Sequence, residues 1–202
     1  MDESLPEGIV TLGEDQAVWQ SVFIVAPLVL VGTKEEDGTY DLAPKHMATP
    51  LGWERYFGFV CTPEHRTYWN ARREGVFTVS YPRPRQVVLT SLAASPRVGE
   101  GQRKPALEAI PTFPAREVDG VHVRDGYLFL ECELDRVIDD LGANSLLIGR
   151  VVLAHVLEEA MRLRDRDEQE VIAGVPLLAY LSPGRWARIE ESNSFPFHLE
   201  TD

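Results

Sequence analysis

The sequence predicts a mainly β protein with short helices, folded as an antiparallel barrel of the Greek-key type. Two observations carry that expectation. Short runs rich in β-branched and aromatic residues recur from residue 22 onward, as at 56–61 and 76–81, and clusters of Gly, Pro and Asp punctuate them. The longest apolar stretch, residues 22–31, is broken by Pro27 and is too short to span a bilayer, so it reads as a buried strand.

Residues 1–17 are polar and acidic with Pro6, Gly8 and Gly13, the composition of an arm that precedes a single domain over 18–202. Residues 22–33 read as the first strand, with Pro27 marking a sheet edge or a bulge. Glu35-Glu36-Asp37-Gly38 then turns the chain so that residues 39–42 return as its hairpin partner. Strands at 56–61 and 76–81 flank a helix at 67–74, closed by Gly75 in the position that favours a left-handed residue. Pro82-Arg83-Pro84 interrupts the chain. Beyond it, Val87, Val88, Leu89, Leu92 and Ala93 cluster like the inner side of a short helix.

Residues 95–114 hold four prolines and two glycines and read as loop, with one helical turn at 106–109. Residues 121–123 and 127–134 flank Arg124-Asp125-Gly126, a hairpin signal, and 145–157 form a long apolar strand. Residues 157–166 read as a charged surface helix. Residues 177–181 and 185–189 close the chain as a hairpin around Ser182-Pro183-Gly184.

The chain has 202 residues and a formal net charge of -12, with the acidic residues spread throughout. Such a field repels nucleic acid and anionic membranes, so a small anionic ligand needs a local basic pocket. Cys61 and Cys132 lie far apart with no C-x-x-C spacing and no signal peptide, which reads as buried thiols in a cytoplasmic protein. The nucleophile elbow, the H-E-x-x-H pair and the P-loop are absent, and the five histidines form no local metal pattern. Gly99-Glu100-Gly101 lacks the third glycine and the preceding strand of a dinucleotide fingerprint. Redox chemistry would have to come from a bound organic cofactor.

Two segments concentrate polar and cationic side chains: Ala43-Pro44-Lys45-His46-Met47, read as a loop, and Cys61-Thr62-Pro63-Glu64-His65-Arg66-Thr67-Tyr68-Trp69-Asn70 at a helix start. Each residue taken singly also has an ordinary reading. Thr67 suits a helix N-cap, Arg66 and Lys45 suit solvated surface charges, and Trp53 and Trp69 suit core or interface anchors.

The order Pro27-Leu28-Val29-Leu30-Val31, Asp37-Gly38, Leu42-Ala43-Pro44, Arg66-Thr67-Tyr68-Trp69-Asn70, Gly75-Val76-Phe77-Thr78-Val79 and Leu147-Ile148-Gly149-Arg150-Val151 resembles the flavin reductase-like, FMN-binding split-barrel family. The end of the chain, with Pro176-Leu177-Leu178-Ala179-Tyr180, Gly184-Arg185-Trp186 and Phe195-Pro196-Phe197, is also similar. The resemblance implies a homodimeric split barrel with FMN near the subunit interface. It implies that Ala43, Pro44, Lys45, His46 and Met47 line the flavin ring, and that Cys61, Thr62, Arg66, Thr67 and Asn70 hold the ribityl chain and phosphate.

A helix start supports the phosphate assignment, because its free N–H groups and positive dipole end favour an anion. Lys45 or His46 would stabilise negative charge on the reduced ring, the catalytic role the resemblance suggests. The implied activity is an NAD(P)H-dependent flavin reductase, with hydride transfer from NADH or NADPH to the flavin and a monooxygenase or electron-transfer protein as partner. The alternative is a non-enzymatic, flavoredoxin-like FMN protein that exchanges electrons with a protein partner. A third class, an interaction module without cofactor, would leave the protein colourless. Relatives often carry a histidine shortly before the strand matching 147–151; Gly142-Ala143-Asn144-Ser145 stands there in this chain.

Overall fold

The structure is a computed structural model, and it describes residues 5–99 and 104–196. Residues 1–4 of the expected arm, Glu100-Gly101 and the closing Phe197 lie outside the described residues. The strands are β1 (Ile24–Pro27), β2 (Val29–Lys34), β3 (Tyr40–Lys45), β4 (Ala48–Pro50), β5 (Tyr56–Cys61), β6 (Val76–Tyr81), β7 (Thr112–Pro114), β8 (Val121–Val123), β9 (Leu128–Leu141), β10 (Asn144–Val156), β11 (Leu177–Ser182) and β12 (Arg185–Ile189). The α-helices are α1 (Val18–Ser21), α2 (Arg66–Glu74), α3 (Val87–Leu92) and α4 (Glu168–Gly174).

A seven-stranded antiparallel sheet in the order β3-β2-β6-β9-β10-β5-β4 curls into the split barrel. A second sheet pairs β1 with the closing hairpin β11-β12, and β7 pairs with β8. The neighbours β2-β6, β6-β9 and β10-β5 are not consecutive in sequence, which is the Greek-key pattern the sequence predicts.

Pro27 divides the expected first strand. Its ring lacks an N–H, and the chain breaks at Leu28, so that β1 joins the small sheet and β2 joins the barrel. Every residue of β2 from Val29 to Thr33 is buried. Alternation explains this: Val29 and Val31 enter the barrel core with Phe57, Phe59, Phe77 and Leu147, whereas Leu30 points to a second cluster with Leu42, Ala93, Ile110 and Val123. Gly32 is required beside them, since a Cβ there would lie 2.8 Å from the Val121 carbonyl oxygen.

Helix α2 covers the barrel with Tyr68 and Ala71, and Gly75 ends it at φ 68° with its N–H donated to Ala71 O. The Tyr68 hydroxyl donates to Asp139 Oδ1 at 2.8 Å, and Asn70 Nδ2 donates to Thr33 Oγ1 at 3.3 Å. These two bonds tie the helix to β9 and β2.

Four expectations are corrected. Residues 43–45 belong to β3 and not to a loop, because their backbone pairs with Val29, Leu30 and Val31. Arg124-Asp125-Gly126 closes no hairpin: β8 pairs with β7, and β9 with β6 and β10. Residues 157–166 form only a 3-10 turn at Glu158–Ala160, and the helix is α4, whose N-cap Asp167 accepts the Glu170 N–H at 3.0 Å. Strand β9 also runs past the expected end at 134, into a segment rich in charged residues that pairs with β10 around a tip at Gly142-Ala143.

Two fully buried side chains, His122 and Glu131, and the partly exposed His155 join β8, β9 and β10. Glu131 is completely enclosed; burial pushes its carboxyl up, but the N–H groups of Arg116, Glu117 and Val118 together with His155 hold it below the usual range. Burial depresses His122 to about 4, against the opposing pull of Glu131, and neither ring nitrogen has a hydrogen-bond partner among the described residues. His122 is therefore folded neutral. In the unfolded chain it takes up a proton below about 6.5, so stability present above that pH is lost as the pH falls toward 4. The expected loss is about 3 kcal/mol across this window. Urea unfolding between pH 7 and 4.5 checks it, and His122→Phe should remove that share of the pH dependence.

Candidate functional site

The end of β3 and the start of α2 face each other across a cleft of about 460 Å³. Ala43, Pro44 and Lys45 form one wall, and His65, Arg66 and Thr67 form the other. The segment after α3, from Ala93 to Arg97, and Lys104 complete it. Four cations, Lys45, Arg66, Arg97 and Lys104, face two carboxylates, Asp41 and Glu64, so this spot is locally basic in a chain of net charge -12. It is the local basic pocket an anionic ligand requires.

His65 is the N-cap of α2 and donates no side-chain cap. Helical geometry leaves the N–H groups of Arg66 and Thr67 without an intrahelical acceptor, at the positive end of the helix dipole. Thr67 therefore lies inside the first turn, not at the N-cap position. Burial, followed by the nearby Lys45 and Lys104, lowers the pKa of His65; burial and then Lys45 lower that of His46. The charge of the cleft therefore rests on its lysines and arginines.

Buried carboxylates hold those cations in place. Glu35, in the turn between β2 and β3, pairs with Arg66 at 3.2 Å and with Arg97 at 2.6 Å. Asp41 on β3 pairs with Arg97 at 3.1 Å and Lys104 at 2.9 Å, and Lys104 also donates to the carbonyls of Leu42 and Ala93. Lys45, nine per cent exposed, donates from Nζ to Cys61 Sγ at 3.2 Å.

Of the residues predicted from sequence, Ala43, Pro44, Lys45, Arg66 and Thr67 come together in the lining. The other five do not line it. His46 turns the chain out of β3 and packs its ring on Tyr180, with centroids 4.6 Å apart. Met47 is half exposed, Cys61 is buried against Lys45, and Thr62 accepts the His65 N–H. Asn70 sits on the buried side of α2, where Thr33 and Arg73 satisfy its amide. Asn144 opens β10 at the exposed hairpin tip. Sequence reasoning missed Arg97, Lys104, Asp41 and Glu35. Arg97 and Lys104 lie in a proline-rich loop, and no local pattern in the sequence sets them apart from other basic residues.

A family model described as the flavin reductase-like domain matches residues 22–179. Among solved structures, nitrilotriacetate monooxygenase component B from Bacillus cereus superposes with a TM-score of 0.81 at 19% identity, covering 94% of this chain and 100% of that one. Flavoredoxin of Desulfovibrio vulgaris is similar with a TM-score of 0.73 at 20% identity, covering 93% and 98%. An FMN-binding protein from Thermus thermophilus gives 0.72 at 19% identity, covering 94% and 99%. No curated protein matches the chain in sequence.

The carboxylate network makes a direct prediction. Glu35→Ala leaves Arg66 and Arg97 short of a buried partner and should destabilise the fold by about 3 kcal/mol. Equilibrium urea unfolding checks this, and a loss below about 1 kcal/mol would mean that water replaces the carboxylate without penalty.

Proposed function

We propose that this chain, which belongs to the flavin reductase-like domain family, binds FMN and works as a flavin reductase that takes its electrons from NADH or NADPH. The observation that carries the reading is the basic cleft itself, where a helix start, Arg66 and Thr67 stand opposite Lys45 within a strongly acidic protein. A phosphate monoester suits that donor set, with Arg66 giving charge-assisted hydrogen bonds and the first N–H groups of α2 completing the cradle. FMN, when bound, supplies the hydride-accepting ring.

The protein supplies position and charge. Arg66 and Thr67 anchor the phosphate end, while Ala43 and Pro44 give a rigid strand edge along the cleft. Lys45 keeps a fixed positive charge at the other end, where it favours electron density on the ligand. His46, seated on Tyr180, is assigned a place beside Lys45 and not a proton transfer. A homodimer belongs to the same proposal: Trp19, Phe23 and Val25, at and just before β1, are each about two-thirds exposed, and a second copy would cover them.

One observation favours a second reading, electron exchange with a protein partner. The tip between β9 and β10 carries Gly142-Ala143-Asn144 and offers no histidine. Two outcomes follow from the primary reading. Arg66→Ala should weaken FMN roughly ten- to a hundredfold, equivalent to about 1.5 to 3 kcal/mol, and leave riboflavin unchanged, as measured by fluorescence titration. Equal losses for both flavins would mean a damaged pocket. In anaerobic stopped-flow mixing, NADH or NADPH should bleach the flavin, and Lys45→Ala should slow bleaching more than it weakens FMN. Bleaching by dithionite alone would favour the electron-transfer reading.

A further inference from the structure

Lys45 differs from the other cations of the cleft in its partner. Arg66, Arg97 and Lys104 are each matched by Glu35 or Asp41. Among the described residues no carboxylate pairs with Lys45. Its Nζ donates to Cys61 Sγ at 3.2 Å, and the Cys61 thiol donates in turn to the Thr62 carbonyl at 3.6 Å. Sulfur is a weak acceptor, so this buried ammonium has little to offset its desolvation. Its field is felt nearby, since burial and then Lys45 hold both His46 and His65 below their usual range.

The pair also spans the seam of the barrel. Lys45 ends β3 and Cys61 ends β5, strands at and next to the two edges of the seven-stranded sheet. Cys61 is only 2% exposed, and the route to its sulfur runs along the Lys45 side chain, which lines the cleft. An electropositive neighbour and a path to solvent are what set a reactive cysteine apart from an inert one. Cys132 has neither, being fully enclosed in the barrel core, where burial pushes its thiol up.

We propose that Cys61 and Lys45 form a covalent modification site, in which hydrogen peroxide oxidises the thiol and Lys45 then closes a sulfur–nitrogen bond to it. In the first step the sulfur attacks peroxide and the O–O bond breaks. One oxygen stays on Cys61 as a sulfenic acid, and the other leaves as water. In the second, Lys45 gives its ammonium proton to solvent and its amine attacks the sulfur; the S–O bond breaks and a second water leaves. Sulfur loses two electrons in all, and peroxide takes up both. Two equivalents of a small thiol reverse the bridge, restoring thiol and amine as they are themselves joined in a disulfide.

The consequence for activity rests on the flavin reading above. Reduced flavin that meets oxygen yields hydrogen peroxide, so the proposed reaction supplies the oxidant. A bridged Lys45 no longer carries the positive charge that favours electron density on the ring.

The test begins on the full chain without flavin, treated with hydrogen peroxide. Trypsin should no longer cut after Lys45, peptide mapping should show Lys45 joined to Cys61, and dithiothreitol should restore cleavage. Cys61→Ser and Lys45→Arg should each abolish the linked peptide, the second leaving a sulfenic acid at Cys61 that dimedone traps. Wild-type protein in which Cys61 stays unmodified, passes to sulfinic acid, or joins Cys132 overturns the proposal, and this readout needs no variant to fold. In the FMN-loaded protein, peroxide should slow flavin reduction severalfold, dithiothreitol should restore it, and Cys61→Ser should keep its own rate through the same treatment. A loss that Cys61→Ser shares would overturn control through this site. Failure of untreated protein to take up FMN is a different result: it removes the flavin reading, and the bridge is then decided by the peptide map alone.

Discussion

Two nearly buried carboxylates organise this protein's candidate site. Glu35 and Asp41 sit at the two ends of one short hairpin arm, and between them they fix Arg66 at the start of α2, Arg97 after α3, and Lys104 before the next turn. Burying charge is unfavourable unless it is matched, and here each carboxylate has cationic partners at close range. The consequence is directional. Three segments distant in sequence converge on β3 because the acid side chains there leave them no better place for their charge.

The scaffold follows from ordinary patterning. Strands β5 and β6 are read at their true limits, because Tyr56 to Cys61 and Val76 to Tyr81 are short apolar runs with strong turn or helix signals on each side. The end of α2 is read the same way from Gly75, while its start lies at Arg66, one residue before the expected 67. Patterning failed where the polarity of the chain and its pairing diverge. Residues 135–141, beyond the expected end of the strand at 134, carry four charged side chains, Asp135, Arg136, Asp139 and Asp140, yet their backbone pairs with β10 and Val137 still packs on the barrel core. The reverse happened at Ala43-Pro44-Lys45, where Pro44 suggested a loop although β3 is an edge strand and tolerates it.

About half of the candidate site could be read in the same way. Lys45, Arg66 and Thr67 were visible because they stand in segments already dense in polar residues. Arg97 and Lys104 were not, because nothing local distinguishes a lysine that clamps two carbonyls and a carboxylate from one in solvent. The resemblance implied a ligand-binding role for Asn70; the helical turn rotates it toward β2, where Thr33 engages it. The information missing from the sequence was rotational and long-range: which face of a helix turns inward, and which distant charge it meets.

Strand β2 gives the fold a particular evolutionary geometry. Because Leu30 and Val31 are neighbours that belong to different cores, the two cores cannot drift independently. A change that shifts this strand to relieve one cluster displaces the other by the same amount, and Gly32 blocks any compensating rise in bulk at its centre. Substitutions in the six residues of this strand are thus expected to be the least forgiving in the chain, whereas the freedom of the β9-β10 hairpin is confined to its tip at Gly142-Ala143, because Asp139 just behind it is engaged by Tyr68 and Ser145.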